Sequence, residues 1–248
     1  MAMTKTIAMM QPYLFPYLGY FQLIAAADTF VLGDNLQYTR SGWINRNRIL
    51  LNGEAKLITF PLKKASREVA IDKRELIDNF QDEILHLLRS LSQNYAKAPY
   101  RADILSLLER LMLYPHTNLA RYTEHSIREL CNYLGIDTPI VRASDLPLPT
   151  HIEKQDRVIQ TAKQFGAKRY INLIGGRDLY CSDYFAHHGL QLHFHRIDDI
   201  RYRQFEKPFV ANLSIIDVLM FNSAEQVRQW LPKFSLEEGK AHHTALSA

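Results

Sequence analysis

The spacing of apolar positions changes character three times along this chain. At the start, "KTIAMMQ" is a short apolar run halted by Pro12 and Pro16, which reads as a buried strand that cannot run on. "YLGYFQLIAAA" then predicts an apolar helix with Pro16 in its first turn, and "DTFVLGD" predicts a second strand rich in Phe, Val and Leu. Strand, helix and strand in that order favour a parallel sheet. "SGWINRNRIL" reads as a short helix capped by Ser41, and "AKLITFPL" as a third strand. Over residues 73–135 apolar positions recur at three- and four-residue intervals, which predicts a run of helices ending at Gly135. Strands return at "TPIVRAS", "AKRYINLI" and "LQLHFHRI", alternating with the helices "EKQDRVIQTAKQFG" and "RDLYCSDYFAHHG". "SIIDVLMFNSAEQVRQWL" is the last ordered element expected. The pattern implies an α/β fold with a Rossmann-like, mainly parallel sheet. Residues 1–232 form one domain in this reading, with the helical segment 73–135 inserted and 233–248 a flexible tail.

Composition changes this picture little. A hydrophobic share of 47% and a charged share of 23% argue against a disordered chain. The net charge of +4 and pI near 9.0 suit an anionic ligand without requiring nucleic acid. Cys131 and Cys181 are too few for a disulfide framework and read as reduced thiols, and no apolar run approaches the roughly 20 residues of a membrane span. The N-terminus lacks the ordered regions of a signal peptide. A soluble, cytoplasmic protein is expected.

Chemistry concentrates at the predicted strand ends. In an open α/β sheet, ligands bind beyond the carboxyl ends of the strands, where helix N-termini offer free N–H groups. Gln11, Tyr13, Phe15, Tyr17, Gly19 and Tyr20 occupy that position after the first strand. Each aromatic taken alone fits a core. Taken together, at this place in the topology, they fit the walls of a pocket. Tyr17-Leu18-Gly19-Tyr20 has the spacing of the His-x-Gly-His turn of nucleotidylyltransferase-type Rossmann folds, with both histidines replaced by tyrosine. Asp34 and Asn35 end the second strand. The segment from Gln37 to Arg67 holds seven basic residues and one acid, Glu54, with Arg46 and Arg48 bracketing Asn47 and preceded by Asn45. Arginine forks suit phosphate or carboxylate, and asparagines suit sugar hydroxyls or amides. A solvated basic face is the plainer alternative. Asn172, Gly175, Gly176 and Arg177 make a plausible anion cradle before a helix, although a lone glycine pair also serves an ordinary turn. His187, His188, His193 and His195 lie close in sequence, but no set of cysteines or carboxylates completes a metal site, so no metal is expected. The sequence names no cofactor. Cys181 reads as structural, and Asp217 sits in an apolar run where a carboxylate must be paired or capping.

The blocks "QPYLFPYLGYFQLIAAADTFVLGDNLQYTRSGWINRNRIL", "ITFPLKK", "YINLIGGRDLY" and "LSIIDVLMFNS" resemble the WbqC-like family and spread over residues 7–224. That resemblance implies a part in bacterial O-antigen and other surface-polysaccharide biosynthesis, with a glycine transferase role suggested for members. The family pattern favours an acid after "LY", where this chain has Cys181. The expectation is therefore transfer of a small acyl or aminoacyl group to an amino-sugar or sugar-nucleotide intermediate. In it Asp34 is the general base, Arg46 and Arg48 hold phosphate, and Asn45, Asn47 and Asn172 orient the sugar. Two other readings stand beside it. One is an ATP-using or nucleotidyl-transferring enzyme. The other is a non-catalytic binding module, although no motif interleaves aromatics with basic residues as RNA-binding sheets do, so nucleic acid is not expected.

Overall fold

The computed structural model describes residues 4–66, 68–149, 152, 154–205 and 208–239. Its centre is a six-stranded sheet in the order β5-β2-β1-β6-β7-β8. The strands are β1 (Thr6–Met10), β2 (Thr29–Leu32), β5 (Ile140–Arg142), β6 (Arg169–Leu173), β7 (Gln191–Ile197) and β8 (Phe234–Glu238). All neighbouring pairs are parallel except β7 with β8. Counting only these strands in chain order, the arrangement is the 3-2-1-4-5-6 order of doubly wound Rossmann sheets. Its switch point lies between β1 and β6. The expected strands at 7–10, 28–33 and 168–174 are all present in this one sheet.

Alternation along each strand feeds two layers. Ala8, Phe30, Leu32, Ile171 and Leu173 face a large core shared with α1 (Leu18–Ala25), α2 (Phe80–Asn94), α3 (Arg101–Met112), α4 (Leu119–Leu134), α7 (Ile215–Phe221) and α8 (Ala224–Trp230). Ile7, Met9, Val31, Tyr170, Leu192 and Phe194 face a smaller core under α5 (Lys154–Gln164) and α6 (Ser182–His187). Burial of both faces explains why the strands read as continuous apolar runs. The helices α2 to α4 follow the predicted spacing. Asn118 caps α4 by accepting from the Arg121 N–H at 3.1 Å, and Gly135 closes it in the left-handed conformation, φ +67°.

Four elements differ from the sequence reading. "SGWINRNRIL" is not a helix: Arg46–Leu51 is strand β3, paired antiparallel with β4 (Glu54–Thr59) in a hairpin outside the main sheet. The reason is the Asn52-Gly53 pair between them, at φ +53° and +76°. Positive φ at both loop residues is what a two-residue hairpin of type I′ requires. Pro16 stands before α1, not in its first turn; the cap is Tyr17 and the helix begins at Leu18. "RDLYCSDYFAHHG" divides into a 3₁₀ turn, Ile174–Leu179, and the short α6. Residues 234–238, expected in a flexible tail, form the antiparallel edge strand β8. The rest of that tail, residues 240–248, lies outside the described residues.

Gly53 carries a direct expectation. Gly53→Ala forces a side chain into the left-handed region and should lower stability by about 1–2 kcal/mol in denaturant unfolding. Arg46→Ala, on the same hairpin but with ordinary backbone angles, should cost less.

Candidate functional site

The carboxyl edge of the sheet is assembled from four strand ends that hold one another. The Gly33 N–H donates to the Met10 carbonyl at 2.8 Å, joining the ends of β2 and β1. Asp34, 4% exposed, accepts from the Ser144 N–H at 2.9 Å and from the Ser144 hydroxyl at 2.6 Å, joining β2 to the turn after β5. Gln11 Nε2 donates to the Gln37 carbonyl at 3.4 Å. The Tyr170 hydroxyl lies 3.4 Å from the Met9 carbonyl and 3.5 Å from the Tyr180 hydroxyl, joining β1 to β6 and to the turn after it.

The loop from Gln11 to Tyr17 is fixed from several directions. The Tyr20 hydroxyl donates to the Gln11 carbonyl at 2.9 Å, and the Leu14 N–H donates to the Trp43 carbonyl at 3.0 Å. Asn47 Nδ2 donates to the carbonyls of Leu14 and Phe15 at 2.9 and 2.8 Å. The Ser214 hydroxyl donates to the same Phe15 carbonyl at 2.6 Å, and the Ile215 N–H to Pro16 at 2.9 Å. Phe15 sits at φ +40°, a strained setting for a side chain of its size. A Cβ on Gly19 would stand 2.5 Å from the Tyr17 ring, so glycine is what lets that ring lie over the start of α1.

The structure sorts the residues expected here into two groups. Gln11, Tyr13 and Tyr17 are half-buried in the loop that follows β1 at the switch point. Asn172 and Gly176 are close together: Asn172 accepts from the Leu173 N–H at 2.8 Å, and a Cβ on Gly176 would come 2.5 Å from Asn172 Nδ2. A Cβ on Gly175 would meet nothing within 4 Å. The other expected residues serve the framework. Tyr20 is fully buried. Asp34 spends both carboxylate oxygens on Ser144, a geometry that suits a brace between strands better than a free general base. Asn45 donates to the Phe60 carbonyl and accepts from the Tyr38 hydroxyl, and Asn47 holds the loop. Strand alternation then turns Arg46 and Arg48 to the opposite face of β3. Arg46 donates to the Gly42 carbonyl at 2.9 Å, and Arg48 lies over the Trp43 ring at 5.6 Å. Part of the basic segment is paired within the fold. Lys56 pairs with Glu54, Lys63 with Glu75 and Asp78, and Arg67 lies outside the described residues.

The electrostatics of the edge favour neutral donors. Burial raises the Tyr13 phenol, and burial together with Tyr13 pushes Tyr17 up to about 12. Both therefore stay protonated near neutral pH and offer O–H groups. His193 and His195 share one face of β7 as expected, and no group of three metal-ligating residues forms among the described residues. Burial lowers His195 to about 4, so its ring is neutral at pH 7. The Cys181 thiol is free and half-buried. Asp217 is fully buried and accepts from Tyr95 and Tyr202 at 2.9 and 2.6 Å and from Gln204 at 3.0 Å, a structural hub. The sequence reading missed two polar residues beside this edge, Arg157 and Arg74. Arg157 stands 3.5 Å from Asn35, and Arg74 stacks on Tyr38 at 4.7 Å. Neither is signalled by spacing, since both reach the edge only through tertiary packing. A separate cavity of about 140 Å³ with Lys163, Lys168 and His188 in its wall lies at the amino ends of β6 and β7, the far side of the sheet.

The profile of the WbqC-like protein family matches residues 11–229, so the chain belongs to that family. It is similar to the uncharacterized protein Rv1507c of Mycobacterium tuberculosis, with 31% identity over 229 residues, 92% of this chain and 97% of that protein. No solved structure matches this chain.

Two outcomes test this geometry. Asn47→Ala leaves the Leu14 carbonyl without its donor in a buried setting and should cost about 2–3 kcal/mol in chemical denaturation. Asn47→Asp should do no better, because a carboxylate cannot donate to a carbonyl. The second concerns acid. The folded pKa of His195 is depressed, so its contribution is present above the ordinary histidine value of 6.5 and is lost as pH falls toward about 4. Thermal unfolding across that window should show His195→Leu with a shallower acid slope than the parent.

Proposed function

We propose that this member of the WbqC-like family transfers a small acyl or aminoacyl group to an amino-sugar or sugar-nucleotide intermediate of surface-polysaccharide assembly in the cytoplasm. The observation that carries this reading is the immobilised loop Gln11–Tyr17 at the switch point of a 3-2-1-4-5-6 sheet. In this architecture nucleotide-type ligands occupy the crevice at that point. A loop fixed before the ligand arrives loses little freedom on binding. The class of acceptor and the process come from the family resemblance.

In this reading the amine of the acceptor attacks the carbonyl of an activated acyl donor. The new C–N bond forms as the bond to the donor's leaving group breaks, and the nitrogen releases its proton to solvent. The developing oxyanion needs donors already in place. The Tyr13 and Tyr17 phenols, kept protonated by burial, supply such donors or bind sugar hydroxyls. Gln11 has a long, weak bond to Gln37 and so has hydrogen-bonding capacity to spare. Gly175 leaves space for the ligand on the β6 side. Asp34 is assigned to holding the edge, and the role of base is left to the acceptor's surroundings.

The nucleotidyl-transfer reading is weaker. Tyr20, the second aromatic of its turn, is buried with its hydroxyl on a backbone carbonyl, so it cannot face a phosphate.

Mass spectrometry of the polysaccharide from a deletion strain tests the reading. A missing acyl or aminoacyl substituent, restored by the wild-type gene, is expected. An unchanged polysaccharide would sink it. Calorimetric titration with sugar nucleotides supplies a finer check. Gln11→Ala should weaken binding by about 0.5–1.5 kcal/mol, the net scale of a hydrogen bond, while Arg46→Ala should leave affinity unchanged.

A further inference from the structure

Arg74 is the only lysine or arginine in the buried class among the described residues, at 7% exposure. Every buried acid in the described residues has donors. Asp34 has Ser144, Glu124 has Arg128 and Arg142, and Asp217 has two phenols and Gln204. Arg74 has no such match. One Nη2 donates to the Lys63 carbonyl at 3.1 Å, the guanidinium lies 4.7 Å from the centre of the Tyr38 ring, and Nε is buried without a partner among the described residues. No carboxylate among them lies within 4.0 Å of it. The acids nearby in sequence are already claimed by lysines. Lys63 holds Glu75 and Asp78 at 3.3 and 2.7 Å, and Lys73 holds Asp72 at 3.1 Å. Burying a cation without a counter-charge is costly, and a carbonyl and an aromatic face compensate only part of that cost.

The position of Arg74 suggests what the missing charge is. The segment leading to it lies along the loop after β2: the Tyr38 N–H donates to Val69, Ile71 to Leu36, and Asp72 to Asp34. Gln11 joins the same loop at Gln37, and Tyr38 ties it to Asn45. Arg74 is therefore tied, through Tyr38 and the 69–72 segment, to the same loop after β2 that Gln11 contacts at Gln37. We propose that Arg74, stacked on Tyr38, is the anion-binding residue of this edge and takes a carboxylate or phosphate oxyanion of the ligand. The proposal rests on the reading of this edge as the substrate site, and it assigns to Arg74 the role that the sequence suggested for Arg46 and Arg48.

A fork of donors with one edge unused suits an oxyanion with two accepting oxygens. Tyr38 holds the guanidinium plane and Lys63 anchors one end, so the remaining N–H groups have a fixed direction before the ligand binds. Asp72 Oδ1, two residues away, is a buried acceptor with no partner among the described residues. A ligand that carries a hydroxyl or amine beside its anionic group would meet both needs.

The test uses the full-length protein in a buffer free of oxyanions. Thermal unfolding is followed while sodium phosphate or sodium formate is added, with sodium chloride at matched ionic strength as the control. Wild type should show a saturable rise in Tm with one of the two oxyanions beyond the chloride control. Phosphate alone points to a phosphate ligand, and formate alone to a carboxylate. Arg74→Met should be at least as stable as wild type before addition, because an unpaired buried cation is gone, and should lose the oxyanion response. Arg74→Lys should keep a weaker response, with half-saturation shifted roughly tenfold or more. An equal response in wild type and both variants, or no response in wild type, overturns the proposal. So does a loss of stability in Arg74→Met with the response intact in Arg74→Lys at wild-type strength, which marks the arginine as structural. The polysaccharide of the deletion strain is a separate readout: unchanged glycan together with an Arg74-dependent response removes the transferase reading and keeps the anion site.

Discussion

Asn47 donates both protons of one amide nitrogen to consecutive carbonyls, Leu14 and Phe15, and Ser214 donates to the second of them from the far side. Phe15 at φ +40° would not hold that conformation unaided, since a side chain there is strained by about 1–3 kcal/mol. Pro12 and Pro16 limit the alternatives of the chain on either side. The three buried hydrogen bonds then make one conformation of the loop the stable one. Both donors come from elements distant in sequence, the hairpin β3–β4 and the start of α7. The conformation at the switch point is thus a property of the assembled fold and not of the loop.

The donors are themselves held by buried polar contacts. Ser214 caps α7 by accepting from Ile216, and its N–H donates to the Arg48 carbonyl of β3. One turn on, Asp217 gathers Tyr95, Tyr202 and Gln204, and the Tyr95 hydroxyl also accepts from the Leu50 N–H. Burial raises the Asp217 carboxyl, and the three donors to it pull the other way. The hairpin therefore touches α7 at Arg48 and the Asp217 hub at Leu50. A shift of β3 by one residue would break both sets and turn Asn47 away from the loop. Register in this small hairpin is fixed by its contacts with the helical layer as much as by its own turn.

The centre of the main sheet was legible because β1, β2 and β6 are buried on two faces and so carry dense apolar runs. The helices α2 to α4 were legible because their faces repeat at helical spacing. The hairpin was misread because "SGWINRNRIL" alternates polar and apolar residues weakly, while the decisive signal, Asn52-Gly53, lies at its end. The strand β8 was missed because two of the five residues of "FSLEE" are charged; it is an edge strand, where charge is tolerated. At the candidate site, the strand order brings the loops that carry Gln11, Tyr13, Tyr17 and Gly175 to the carboxyl ends of β1 and β6. Side-chain roles were not legible. Asp34, Asn45 and Asn47 have residue types that suit substrate binding equally well, and only their tertiary partners show them to be braces. Arg74 falls at the start of the segment 73–135 that reads as helical, but it sits in extended backbone ahead of α2, so no helical face predicts its direction.

The aromatic loop also changes what the fold can bind. In a dinucleotide-binding sheet, glycines leave the first helix N-terminus bare so that a pyrophosphate approaches its N–H groups. Here Tyr17 caps α1 without a side-chain hydrogen bond, and its ring lies over Gly19, the position where backbone would otherwise be exposed. The glycine has been kept, but the space it opens is filled by the protein's own ring. In the proposed reading a ligand at this edge would meet an aromatic ring before it meets the helix dipole. That surface suits a sugar ring better than a pyrophosphate docked on backbone, because an aromatic face packs on C–H groups and phenols bond hydroxyls. On the proposal made above, an anionic part of the ligand would find its countercharge on a side chain away from α1. The fold retains the topology of nucleotide binding while its first loop removes the usual phosphate seat.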